Sequence, residues 1–526
     1  MAANKPLDDA VIIGIDFGTT YSGVAWAYSR EPEEIEIVTS WESELNHCSD
    51  VEKAPTQIHY GHNSRDIKWG YGISPEHEPL KWFKLLLLEP KDIPQRAIGD
   101  GVMKRSKFQV VITLPAIWPP YAQQRMKMAA KQAGILDPRL AGPTTLRFVS
   151  EPEAAALATI KDLSKRSSIK AGDTIVVCDA GGGTVDLISY IFQSTDPFVV
   201  KECVKGDGDL CGGVFLDEAF IRFVKRKSPK GTWWPVTKTE ERKFLNDEWE
   251  HGIKPQFENQ KRSWSLALPD TCVNPSSQGL MRRMTLDLTS QDLFSAFSSI
   301  VDKIEVLVRH QVDATQSKYH EKPKYIILVG GFGRSRFLFN HLQERFGRIV
   351  LQSRGNKPWT AICRGAVVQG LVRHNPSANL GVDVETRVAR MSYGIMYSSP
   401  FIEGYHNEAD KTWSHVHQNY RANSQMAWFL RVGEDISEKR SVSHSYTSRA
   451  PPVRFGDSDD IHHLCAMKWD KIVDVDTLPK WTNPVGVAYP RLDYHIKMDC
   501  EDGTVNFSLH YQGSKVGEEE VEVQFN

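Results

Sequence analysis

Val11-Ile-Ile-Gly-Ile-Asp16-Phe-Gly-Thr-Thr20 and Thr174-Ile-Val-Val-Cys-Asp179-Ala-Gly-Gly-Gly-Thr184 share one grammar. Each is an apolar run that ends in Asp and then turns through Gly and Thr. Each continues as a second apolar run, Tyr21 to Ala27 in one and Val185 to Phe192 in the other. Two apolar runs separated by a Gly/Thr cluster predict a β-hairpin. The second copy lies about 160 residues after the first, a spacing of domain size, so two related lobes are expected rather than a solenoid.

The residue types at the turns point to a chemistry. A glycine without a Cβ lets backbone N–H groups come close to a phosphate, and Gly18 with Gly181, Gly182 and Gly183 would do so. Thr19, Thr20 and Thr184 add hydroxyl donors. Asp16 and Asp179 would repel a phosphate unless a cation intervened, which argues for hydrated Mg²⁺ held by one or two carboxylates. Asp186 adds a further carboxylate two residues after Thr184. One such turn also fits a plain tight hairpin. Two turns facing each other would clamp a polyphosphate, and three glycines between strongly apolar strands call for more than a flexible loop.

Elsewhere strands alternate with helices, which gives an α/β class. Phe108 to Pro115 reads as a buried strand, followed by an amphipathic helix around Tyr121 to Ala133. Tyr325 to Val329 is a strand that runs into Gly330-Gly-Phe-Gly-Arg334 and a helix from Ser335 to Phe346. The dinucleotide fingerprint fails there, because Arg336 stands at its third glycine and Gln352 at the ribose-binding acid. Close approach to a nucleoside, with Arg334 stacked on the base, fits better. No G-x-x-x-x-G-K-[ST] is present. Ser150-Glu-Pro-Glu153 reads as a capping box; the functional alternative makes Glu151 a carboxylate that positions water.

From about Val388 helical periodicity fades. Arg491 to Met498 and Thr504 to Tyr511 alternate around Asp502-Gly503, and Glu520 to Phe525 alternates again. A smaller β-rich C-terminal region is expected. Its Trp413, Trp428, Trp469 and Trp481 read as core, and its histidines match no zinc spacing. Lys225 to Lys230 reads as a solvated basic loop, and Leu85 to Leu88 as buried helix.

The bulk numbers narrow the rest. The 526 residues are 40% hydrophobic and 25% charged, an ordinary globular composition. A net charge of -2 gives no electrostatic case for nucleic acid or an acidic membrane surface. The 8 cysteines form no C-x-x-C pair and read as free buried thiols. With Asp8 and Asp9 before a short apolar run, the N-terminus does not read as a signal peptide, and a soluble cytoplasmic monomer is expected.

Five ordered motifs resemble the ATPase domain of the seventy-kilodalton heat-shock chaperones, within the actin and sugar-kinase superfamily. They are Gly14-Ile-Asp-Phe-Gly-Thr-Thr-Tyr-Ser22, Val111-Ile-Thr-Leu-Pro115-Ala, Glu151-Pro-Glu-Ala-Ala-Ala156, Asp179-Ala-Gly-Gly-Gly-Thr-Val-Asp186 and Leu328-Val-Gly-Gly-Phe-Gly-Arg334. The likeness spans about residues 10–380 and is closer to divergent members, including those common in fungi. It implies a two-lobed actin-like fold of duplicated ribonuclease H-like lobes. The expected division is 1–195 for lobe I, 196–385 for lobe II with its end returning to lobe I, and 386–526 for the β-rich region.

The resemblance also implies roles. Asp16 and Asp179 would hold magnesium, and Thr19, Thr20 and Tyr21 with Gly181 to Thr184 would contact phosphates. Glu151 and Asp186 would order the reacting water. Gly330, Gly331 and Arg334, the Gly212-Gly213 pair, and Glu250 and Lys254 would line the nucleotide site. Pro115 matches a proline linked to interdomain signalling. Lys84, ahead of Lys81, is taken as the phosphate-reaching lysine. An ATP hydrolase with ATP/ADP and Mg²⁺ follows, chaperone-like, with unfolded polypeptide or co-chaperones as partners. A nucleotide sensor without turnover and a small-molecule kinase of the same superfamily are the alternatives.

The departures are specific. Gln123, Trp359, Val214, Phe215 and Phe332 stand where the family has, in turn, an arginine, an aspartate, an acidic pair and a serine. The family's interdomain linker is not recognisable after Asn375.

Overall fold

The computed structural model describes residues 9–39, 41, 51–60, 67–74, 77, 79–81, 106–116, 120–164, 169–272, 284–353, 355, 357–375, 382–437, 441–448, 466–469, 475–501 and 504–520. Ala10–Phe17 and Tyr21–Tyr28 form the first hairpin, with Asp16 opposite Gly23 and Phe17 opposite Ser22. Thr174–Ala180 and Val185–Thr195 form the second, with Asp179 opposite Asp186.

Each hairpin seeds a sheet, one of six strands and one of seven, and five consecutive strands follow the same order in both. In the first, the strand order is Glu36–Ile37, Tyr21–Tyr28, Ala10–Phe17, Lys107–Leu114, Thr145–Ser150. In the second, the corresponding five of its seven strands are Phe198–Asp209, Val185–Thr195, Thr174–Ala180, Tyr325–Val329, Val350–Gln352. In both, the leading hairpin is antiparallel and the two following strands join in parallel. Parallel neighbours need a crossover and are buried on both faces, which explains the unbroken buried runs at Val110 to Leu114, Thr113 included, and Ile326 to Val329. The second hairpin pairs only with strands of the second sheet among the described residues, whereas the sequence-based division left it in lobe I. Its grammar matches lobe I, but hydrogen-bonding partners decide membership.

The helices that follow the fifth strands, Glu151–Ser164 and Lys357–His374, pack on each other. Small residues allow it: a Cβ on Gly365 would lie 1.6 Å from the Ala154 carbonyl oxygen. Lys357–His374 also lies along the first sheet, where Gly370 meets Ile12. It is apolar nearly all round, as a helix enclosed by other elements must be. Lys225 to Lys227 is the last turn of the helix Gly213–Lys227, not a loop, and its cations suit the negative end of the helix dipole.

The chain divides into two compact units. One comprises Met1–Trp118 with Arg125–Val384, and the other Pro119–Gln124 with Glu385–Asn526. The second unit is β-rich. Its main sheet runs Ser441–Ser448, Leu492–Glu501, Thr504–Tyr511, Ser514–Glu520, Ala466–Trp469, and a smaller one runs Tyr393–Pro400, Asn419–Leu430, Lys411–Ser414. Ile496, Met498, Phe507, Leu509, Phe429 and Val516 form its core. The hairpin expected around Asp502-Gly503 is present, its two turn residues lying outside the described residues. Trp413 and Trp428 are exposed rather than core. Leu85 to Leu88, Cys465 and Val521 to Phe525 lie outside the described residues. The six described cysteines are buried.

Candidate functional site

The two hairpin turns abut. A Cβ on Gly182 would lie 2.2 Å from Thr20 Oγ1, and one on Gly183 would lie 3.3 Å from Thr19 Cγ2. Glycine is therefore required at 182 by the approach of the opposite turn. The second turn is held from behind by the start of the helix Gly213–Lys227. Gly212 N–H donates to Gly183 O (3.1 Å), Gly213 N–H to Gly181 O (3.1 Å) and Val214 N–H to Gly182 O (2.8 Å). Gly181 N–H closes the turn on Thr184 O at 3.0 Å. With all three glycine carbonyls bonded, this turn can offer an anion only N–H groups and the Thr184 hydroxyl.

Four carboxylates gather behind the turns. Asp16, Asp179 and Asp186 sit at the strand ends, and Glu151 opens the helix Glu151–Ser164; all four are buried. Ser150 Oγ accepts from Glu153 N–H at 3.4 Å, so the capping contact and the placement of Glu151 in the first turn coexist. Burial, followed by the charges of Glu151, Asp186 and Asp16, pushes the Asp179 carboxyl well above its usual range. Asp179 Oδ1 is fully buried without a hydrogen-bond partner. An all-oxygen donor set with an orphaned carboxylate oxygen fits a hard cation such as Mg²⁺.

A lysine that no motif announced completes this cluster. Lys53 is buried, and its Nζ donates to Asp16 Oδ2 as an ion pair. Burial alone would lower its pKa, but Asp16 first and Asp179 more weakly hold it charged. Lys84 lies outside the described residues. Lys81 is on the short strand Leu80–Lys81, where desolvation and then the charge of Arg242 lower its pKa against the opposing charges of Asp217 and Glu250.

The other predicted residues surround a second polar group. Lys254 Nζ bonds Glu250 Oε2 at 2.8 Å and Asp217 Oδ1 at 2.7 Å, and Trp249 Nε1 donates to Asp217 Oδ1 at 2.7 Å. Desolvation lifts the Asp217 carboxyl despite Lys254. A Cβ on Gly213 would lie 3.4 Å from Lys254 Nζ, which brings Gly213 to this group. Gly330 has φ +88 and stands against Asp179, where a Cβ would be 2.4 Å from Oδ1. Gly331 faces the Trp359 ring, over which the Arg334 guanidinium lies at 5.2 Å from the centroid. Tyr21 meets the same ring edge-on at 5.6 Å. Phe332 is buried in the core of the second lobe. Sequence reasoning missed Lys53, Asp217 and the packing of Trp359. Only the Trp359 departure was visible, as a residue out of place.

The tail histidines form no metal grouping among the described residues. The acid and histidine group with ligand-like spacing is Asp302, Glu305 and His341, where Glu305 is already paired with Arg345 at 3.2 Å and His341 at 2.8 Å.

Two sheets that share one order over five strands, each opening on an Asp-Gly-Thr hairpin, define an actin-like ATPase fold, here with a β-rich C-terminal region. A family model described as Hsp70 protein matches residues 95–416, more than half of the chain. The chain belongs to the Hsp70 family, as one of its divergent members. It is 25% identical over 525 residues to Heat shock 70 kDa protein 12A of Homo sapiens, covering 75% of this chain and 73% of that protein. It is 26% identical over 526 residues to Heat shock 70 kDa protein 12B of Homo sapiens, covering 76% and 72%. Chaperone protein DnaK of Thermosipho melanesiensis is 26% identical over 397 residues, covering 71% of this chain and 61% of that protein. The family places the chain in the superfamily of ATP-binding, chaperone-like ATPases. No helix among the described residues is long and apolar enough to cross a membrane.

Proposed function

We propose that the protein binds ATP with magnesium between its two hairpin turns and hydrolyses it, with nucleotide state setting the closure of the lobes. The observation that carries this reading is the abutment of Thr20 on Gly182 directly in front of four buried carboxylates. Thr19, Thr20, the N–H groups of Gly182, Gly183 and Thr184, and the Thr184 hydroxyl would grip the phosphates from both sides, with Gly181 N–H closing the turn that presents them. Asp16 and Asp179 would hold the magnesium ion. Bound there, the ion would offset phosphate charge and polarise the γ-phosphoryl group. Glu151 and Asp186 would orient the attacking water. The Gly331 loop with Arg334, and the Asp217–Glu250–Lys254 group, would take the nucleoside end. A chaperone role, with unfolded polypeptide or co-chaperones as partners, is part of the proposal and rests on the family.

The test is ATP binding and phosphate release by the purified chain with Mg²⁺, beside Asp16→Ala and Thr184→Ala. Phosphate release that both substitutions reduce at least tenfold is the expected result. Binding without turnover would favour a nucleotide sensor, and a phosphorylated small molecule in place of free phosphate would favour a kinase. No binding would remove the reading altogether.

A further inference from the structure

Lys53 is 4% exposed. Lysines are almost never that buried unless paired, and this one is paired with Asp16, at the base of the first turn. Its backbone is fastened to that turn. Ala54–Pro55 pairs with Tyr21 and Ser22, Thr56 N–H donates to Thr20 O at 2.8 Å, and Tyr71 Oη donates to Lys53 O at 3.2 Å. Its stem crosses the hairpin over Gly23, where a Cβ would come within 2.9 Å of Lys53 Cγ and 3.1 Å of Cε. The strand thus carries a glycine where the lysine passes, and the ammonium arrives at Asp16, at the base of the first turn.

A purely structural ion pair needs one carboxylate. An ammonium has three N–H donors, and one of them is used on Asp16. A triphosphate brought to four acids requires positive charge at that point, and a lysine supplies it as a point charge.

We infer that Lys53 is a phosphate-binding residue of this site, its two remaining donors directed to the terminal phosphates of the nucleotide. This rests on the nucleotide reading above. It transfers to Lys53 the role that the sequence assigned to Lys84. It also gives the site a fixed cation that does not depend on the metal.

The experiment is equilibrium binding of ATP to the full chain, with Mg²⁺ and in excess EDTA, for wild type, Lys53→Met, Lys53→Arg and Lys84→Ala. Wild type is expected to keep weakened binding in EDTA. Lys53→Met should lose about 10- to 100-fold in affinity, the weight of charge-assisted hydrogen bonds, and Lys53→Arg should recover part of it. Should Lys53→Met unfold, with a buried Asp16 left unpaired, Gly23→Ala is the substitute. It keeps both charges, displaces the lysine stem, and should weaken binding in EDTA severalfold. The inference is overturned, with the nucleotide reading intact, if wild type binds and Lys53→Met (or Gly23→Ala in its place) binds equally well in EDTA. It is overturned also if Lys84→Ala alone lowers affinity. A wild type that binds no ATP in either condition overturns both.

Discussion

At the scale of single residues the site is an electrostatic conflict held in place. Asp179 is 2% exposed, and burial together with Glu151, Asp186 and Asp16 raises its carboxyl above the ordinary 3.8. An acid whose pKa rises on folding gives its full stability below the unfolded value. That stability is lost as the pH climbs through the folded value. Asp179→Asn should therefore make the ligand-free protein more stable at pH 7 than wild type, with the gain shrinking towards pH 4. Thermal melts across that range would check it, and a gain independent of pH would contradict the assigned cause. The same substitution should abolish metal-dependent ATP binding, since a neutral amide is a poor magnesium ligand. Residues that destabilise a fold while serving its chemistry are expected at functional sites. Lys53 is the counterweight. Its partner lies 37 positions away in the chain, and no motif connects them.

At the scale of elements, the helix Lys357–His374 is the piece on which the first lobe depends. Its Gly365 touches the Ala154 carbonyl, and its Cys363 carbonyl lies where a Cβ on Gly14 would fall at 2.4 Å. Neither neighbour is a flexible side chain, so neither can yield cheaply. Gly365→Ala should cost about 3 kcal/mol or more, against the 1–3 kcal/mol usual for overpacking, and urea unfolding would measure it. A loss under 1 kcal/mol would mean that the two helices can separate without consequence. The hairpins themselves were readable in sequence because period, turn residues and the Asp-Gly-Thr grammar all agree locally. Membership of the second hairpin in the second sheet was not, because pairing with Tyr325–Val329 joins segments about 150 residues apart. Trp413 and Trp428 were misplaced because an aromatic type suggests core, whereas both are exposed on the smaller sheet.

At the scale of the whole molecule, nucleotide binding should appear as stability. Mg²⁺ and ATP at 100 times the dissociation constant should add about 2.7 kcal/mol to the part of the chain that binds it. Calorimetry of the full chain would show a rise of a few degrees in one transition. Because each unit has its own apolar core, the transition of the β-rich unit should stay where it is. If both transitions moved equally, the two units would be one cooperative body.

The amino-acid sequence alone determined the duplicated hairpins, the α/β class, the β-rich tail and the kinship with the Hsp70 family. These properties rest on short stretches whose residue types and spacing act within a few positions of one another. Tertiary structure alone decided which sheet each hairpin joined. It also decided that Thr20 would meet Gly182, that Lys53 would reach Asp16, and that Asp217 would complete the Lys254 group. Those contacts arise where chain segments far apart in sequence are pressed together by burial of apolar surface. Burial also makes their charges matter, because a carboxylate or ammonium withdrawn from water must find its partner inside the protein.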